Sequence, residues 1–196
     1  MKFIGITGGV GAGKSELIKY IGKHYKCRIY LADEVAHEVR KPGTDCYKEL
    51  CGLLGEDVVA DKKRMAAKVF ADEKLLEKVN AIVHPAVEKY LLKAYREAAE
   101  DGETELFFVE AALLIEAGYK KIADELWYVY ANNEVRIKRL MDSRGYSREK
   151  AVSIMDSQLS DKEFRENCDF VIDNSGSLEN ATESIRRRLE GYTWLM

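Results

Sequence analysis

The chain has little of what would impose a scaffold from outside its own core. It contains two prolines, and its four cysteines, Cys27, Cys46, Cys51 and Cys168, include no Cys-x-x-Cys pair. Those thiols read as reduced cytoplasmic side chains in or near a core, and not as a disulfide framework. Their spacing from His24, His37 and His84 argues against a zinc site. No apolar run approaches about 18 residues, so no membrane span is expected. The first residues pass directly into a strand and a loop, which leaves no room for a signal peptide. Neither sign of charge dominates: 31 Lys and Arg stand against 34 Asp and Glu, a net charge of −3. A broad nucleic-acid-binding face is therefore disfavoured. Repeats and low-complexity segments are also missing. What remains is the composition of a soluble globular protein, 46% hydrophobic and 33% charged, long enough for one compact domain with a sizeable core.

What the chain does have is a concentration of glycine. Gly8-Gly9-Val10-Gly11-Ala12-Gly13-Lys14-Ser15 places four glycines within six residues. It fits the phosphate-binding pattern G-x-x-x-x-G-K-[ST] at every fixed position. Glycines let the backbone curl and turn its N–H groups inward. Lys14 supplies a cation for the β- and γ-phosphates, and the Ser15 hydroxyl a ligand for Mg²⁺. The apolar run 2–7 predicts a strand before the loop, and 16–21 an amphipathic helix after it. That order puts phosphate at a helix N-terminus.

Strand and helix patterns then alternate. Further strands are predicted at 27–31, 106–109, 126–130 and 170–173, each a short apolar run bounded by polar turns. Helical patterns separate them, and a last one covers 178–189. This is a three-layer, doubly wound parallel sheet of about five strands. About 75 residues between the second and third strands read as helical, over 33–40, 47–54, 64–70 and 72–95. Pro42-Gly43 breaks the first pair, and His84-Pro85 marks a boundary or kink in the last. The stretch is either an inserted substrate-binding region, about 34–100, or a long crossover of packed helices. A second insertion, about 136–166, carries Arg136, Arg139, Arg144 and Arg148, with Ser147 placed to cap a helix whose third residue is Lys150. An arginine-bearing lid would put positive charge on a transferring phosphoryl group and exclude water. Its rival is a solvated basic helix face.

Two carboxylates fall at carboxyl ends of strands, where ligands bind in open α/β sheets. Asp33, after the second strand, suits a general base that takes a hydroxyl proton, or equally a helix N-cap. Glu110, ending the third strand, suits Mg²⁺ directly or through water. Glu116 reads as a solvated helix residue, and Lys62-Lys63-Arg64 as a solvated charge run that could meet an anionic substrate. His84 reads more naturally as a capping or core residue than as a catalyst. No Asn-Lys-x-Asp guanine motif is present. The D-x-x-G-like run Asp142-Ser143-Arg144-Gly145 follows a helix and not a strand.

These residues together resemble the dephospho-coenzyme A kinase family over nearly the full length. The likeness runs from Thr7–Ser15 through Ala32-Asp33, Val35-Ala36, Pro42-Gly43, Val69-Phe70 and Val83-His84-Pro85. It continues in Leu113-Leu114-Ile115-Glu116 and closes with Asp169-Phe170-Val171-Ile172-Asp173-Asn174-Ser175-Gly176. The resemblance implies a P-loop kinase fold with core, helical substrate region and lid. It also implies phosphorylation of the ribose 3′-hydroxyl of dephospho-coenzyme A by ATP with Mg²⁺. Carried over by position, Asp33 is the base, Lys14 and Ser15 serve ATP and Mg²⁺, and Arg144 is the lid arginine. Asp33, His84, Glu110, Leu113 and Lys62 fall on the substrate side. The chain departs from the family pattern at Leu31, where the family has a second aspartate, and at His37, Lys62 and Ala112. The expected partners are small molecules, with neither nucleic acid nor membrane, for a monomer or small homo-oligomer. The alternatives are a nucleoside or nucleotide kinase of the same fold, or a nucleotide-switch binding protein.

Overall fold

The computed structural model describes residues 1–192. Five strands are present: β1 (Lys2–Thr7), β2 (Cys27–Leu31), β3 (Leu106–Glu110), β4 (Glu125–Tyr130) and β5 (Phe170–Asp173). They form one all-parallel sheet in the order β2-β3-β1-β4-β5, with helices on both sides. Phe3 lies opposite Phe107 and Ile6 opposite Glu110; on the other side of β1, Thr7 lies opposite Tyr128. β1 thus occupies the centre, and the chain leaves its carboxyl end directly into the glycine-rich loop. In such sheets that end is where ligands collect.

The central strands are buried on both faces, which is why they read as continuous apolar runs. Ile4, Ile6, Phe108, Trp127, Val129 and Ile172 pack with Leu17 and Ile21 of α1 (Lys14–His24). Ala181, Ile185 and Leu189 of α10 (Leu178–Glu190) join the same core. Trp127 meets Phe108 and Phe170 edge-on, with ring centroids at 5.7 and 5.2 Å. Each such pair contributes about 1 kcal/mol beyond area burial.

By contact density the chain divides into two units, one of residues 1–29 with 98–196, the other Tyr30–Glu97. The second is helical: α2 (Ala32–Val39), α3 (Asp45–Leu54), α4 (Glu56–Val59), α5 (Lys62–Phe70) and most of α6 (Glu73–Glu100). Thr44 caps α3 by accepting from Tyr47 N–H, and Asp61 caps α5 by accepting from Lys63 and Arg64 N–H. Of the two expectations at His84-Pro85, the boundary is overturned: one 28-residue helix runs through Pro85. Proline removes one N–H from the helix ladder. The buried stripe Val79, Val83, Val87 and Leu91, repeating every four residues, carries the helix past it.

The first unit also holds α7 (Asn133–Arg144), α8 (Arg148–Asp156) and α9 (Asp161–Asn167). Ser147 accepts from Lys150 N–H as expected, and Ser160 forms a reciprocal capping box with Glu163. Glu116 is corrected: it lies exposed in a run of turns after β3, outside any helix. No helix among the described residues is long and apolar enough to cross a membrane.

Candidate active site

The glycine-rich loop spans the gap between Thr7, which ends β1, and Lys14, which opens α1. Thr7 is fully buried, and its hydroxyl donates to the Ala112 carbonyl at 3.1 Å, tying the loop's root to the segment after β3. Gly13 precedes α1 with φ 92°, a left-handed conformation that costs glycine little. It supplies no side-chain cap, so the first amides of α1 keep the helix dipole facing the loop. At Gly9 the reason for glycine is space: a Cβ there would collide with the Arg136 guanidinium.

Lys14 Nζ donates to the Gly8 carbonyl at 2.7 Å and stands 3.5 Å from Glu110 Oε1. The structure therefore brings together Lys14 and Glu110, with Ser15 exposed in the first turn of α1. Leu113 is exposed in the segment after β3.

Of the four arginines grouped as a lid, two grip the loop. Arg136 Nε donates to the Val10 carbonyl at 2.9 Å, and its Nη2 donates to Gln158 Oε1 at 2.9 Å. Arg139, one turn further along α7, donates to the Ala12 carbonyl at 3.1 Å and the Asn174 carbonyl at 2.9 Å. Asn174, itself buried, adds a bond from Nδ2 to the same Ala12 carbonyl at 2.8 Å. Burial pushes Arg136 below its ordinary arginine value. Arg148 instead forms a two-pronged pair with Glu134, at 2.9 and 2.5 Å. Arg144 is the last residue of α7 and is exposed, followed by Gly145 in the left-handed conformation. A solvated basic face therefore does not describe Arg136 and Arg139.

In the second unit, Asp33 lies exposed in the first turn of α2. Its reading as the helix cap is corrected. β2 runs on to Leu31, which takes the cap position, and α2 starts at once with Ala32. Lys62 Nζ and His37 Nε2 are 3.1 Å apart, so two of the positions that depart from the family pattern touch each other. His84 is exposed on α6, neither cap nor core.

The sequence alone does not mark Asn174 or Gln158 as a site residue. Asn174 sits in the closing run 169–176, which signals it as part of a motif but not as a loop contact. Gln158 carries no signal in a single sequence.

A family model described as dephospho-CoA kinase matches residues 2–180. A dephospho-CoA kinase of Carboxydothermus hydrogenoformans is 31% identical over 99% of this chain and 96% of its own length. The crystal structure of a Thermus thermophilus protein superposes with a TM-score of 0.80 at 31% identity, covering 98% of each chain. A dephospho-CoA kinase from Campylobacter jejuni shares the fold, with a TM-score of 0.69 at 23% identity over 99% of this chain and 98% of its own.

Proposed function

This chain belongs to the dephospho-CoA kinase family, and from that premise we propose that it transfers the γ-phosphoryl group of ATP to the ribose 3′-hydroxyl of dephospho-coenzyme A. The products are coenzyme A and ADP. The observation that carries this reading is the meeting of Lys14 and Glu110 beside a loop fixed between β1 and α1.

Catalysis of this kind is positioning and charge neutralisation. The loop amides and the N-terminus of α1 receive the phosphates. Lys14 exchanges the neutral Gly8 carbonyl for an anionic phosphate oxygen, a stronger partner. Asp33 takes the proton of the 3′-hydroxyl as its oxygen bonds to phosphorus and the bond from phosphorus to the leaving ADP oxygen breaks. Arg144, carried by the lid of about 136–166, covers the transferring group. The helical region of about 34–100 supplies His84 and Lys62 for the acceptor; Glu110, which ends β3, and Leu113, in the turns that follow, are further acceptor-binding residues.

The Ser15 hydroxyl and the Glu110 carboxylate are hard oxygen donors, few in number, which fits Mg²⁺ held mainly by substrate phosphates and water. They would hold the ion, whose chemistry there is to offset phosphate charge. Acting on small soluble molecules, the enzyme works in the cytoplasm as a monomer or small homo-oligomer.

An ADP-release assay with ATP, Mg²⁺ and dephospho-coenzyme A tests the proposal. ADP formation that depends on this acceptor is expected. Turnover of a nucleoside monophosphate with none of dephospho-coenzyme A would sink it.

A further inference from the structure

Val10, the third residue of the loop, is held at every polar atom it has. Its N–H donates to Gln158 Oε1 at 2.9 Å, and its carbonyl accepts from Arg136 Nε at 2.9 Å. The third side of this triangle is Arg136 Nη2 to the same Gln158 oxygen, also 2.9 Å. The Val10 side chain packs on a small cluster of Ile137, Leu140 and Ala151 between α7 and α8. Gln158 itself belongs to no helix. It lies in the short connection from Ser157, the C-cap after α8, to Ser160, whose capping box opens α9. A segment fixed at both ends thus presents one oxygen to two donors.

A carboxylate at position 158 would also accept both donors, and more strongly, because it would pair with a guanidinium. The chain uses an amide. Among the described residues, Arg136 hydrogen-bonds only to neutral oxygens, those of Val10 and Gln158. Arg139 does likewise, with Ala12 and Asn174. Two part-buried guanidiniums therefore flank the loop with their charge uncancelled by any of these partners. In a part-buried site such charges are weakly screened, and the ligand proposed for the loop is a polyanion.

We infer that Gln158 is a positioning residue for ATP whose neutrality is functional: it fixes the first arm of the loop while leaving the charge of Arg136 to the triphosphate. This rests on the reading of the loop as an ATP site. Position and charge can be separated by two variants. Gln158→Glu keeps both acceptor bonds but cancels the charge. Gln158→Leu keeps the charge and the bulk but loses both bonds.

The test combines thermal unfolding, calorimetric titration with ATP alone, and steady-state turnover of dephospho-coenzyme A, all on the full chain. Q158E should melt no lower than wild type, yet bind ATP about tenfold more weakly, ~1.4 kcal/mol. Q158L should lose about tenfold in kcat, with a smaller change in ATP affinity than Q158E. A Q158E protein that binds ATP within about twofold of wild type overturns the role of charge. One that melts lower overturns the claim that the carboxylate preserves both bonds. Wild-type kcat in Q158L overturns positioning. If wild type binds ATP but leaves dephospho-coenzyme A untouched, the proposed function fails, and the ATP titrations still decide the role of Gln158.

Discussion

The contacts of Lys14 include two oxygens of unequal strength, a neutral carbonyl at 2.7 Å and a carboxylate at 3.5 Å. Neither contact belongs to the hydrophobic core, so the side chain is held for use more than for stability. Lys14→Ala should lower kcat/KM for ATP by about 10²-fold or more, since it removes a preorganised charge from the phosphoryl group. Circular dichroism should show little change in melting temperature; an unfolded variant would contradict this division. Asp33 makes a parallel case. With Leu31 in the cap position, Asp33→Asn forfeits only a first-turn charge, less than about 1 kcal/mol. Turnover should nevertheless fall by roughly 10²-fold while ATP affinity holds. Wild-type turnover would remove Asp33 from the chemistry. At this scale, a single sequence points most directly to residues whose neighbours in sequence share the role proposed for them, as with Lys14 and Ser15. Gln158 and Asn174 act on backbone groups 148 and 162 residues away. A backbone carbonyl has no residue identity, so nothing in the sequence of the loop announces what grips it.

Among elements, the junction of loop and α1 is constrained in two ways. Gly13 combines a left-handed φ of 92° with Asn174 Nδ2 pressed against the space a Cβ would fill. Gly13→Ala should cost about 2 kcal/mol in urea unfolding, from backbone strain and a displaced Asn174. It should also weaken ATP binding, and unchanged stability would show that the junction yields. One helix end with a side-chain cap was readable: Ser147 and Lys150 stand as the local pattern indicated. Asp33 was not, because an aspartate near a helix start looks the same one or two residues inside the cap. Nor was the continuity of α6 through Pro85. Local rules see the missing N–H, and only packing shows the buried valine stripe that outweighs it.

For the whole molecule, the alternation of apolar strands with helices was enough to indicate a parallel doubly wound sheet. The order β2-β3-β1-β4-β5 was not, since it depends on pairings between distant strands. Distant pairing also hides the main polar tie of the fold. Glu125, almost fully buried at the start of β4, accepts from Lys2, Trp127, Arg188 and Tyr192. Burial alone would raise its carboxyl value, but these four donors hold it down to about 2, from an ordinary 4.5. A depressed value contributes stability that is full above about 4.5 and is lost as pH falls through about 2. Glu125→Gln should therefore cost about 2 kcal/mol at pH 7, and the gap from wild type should narrow between pH 4.5 and pH 2. Urea titrations across that range check it; a gap independent of pH would contradict it.

The same tie bears on the order in which the chain is made. Lys2 is there from the start of synthesis, and Trp127 two residues after Glu125. Arg188 and Tyr192 follow only 63 and 67 residues later. At translation speeds of about 5 to 20 residues per second, a carboxylate meant for the interior waits roughly 3 to 13 seconds for half of its partners. During that interval β4 can pair with β1, but its first residue is drawn toward water. Glu125 can gain its full set of donors only once the chain has been made past α10, as far as Tyr192.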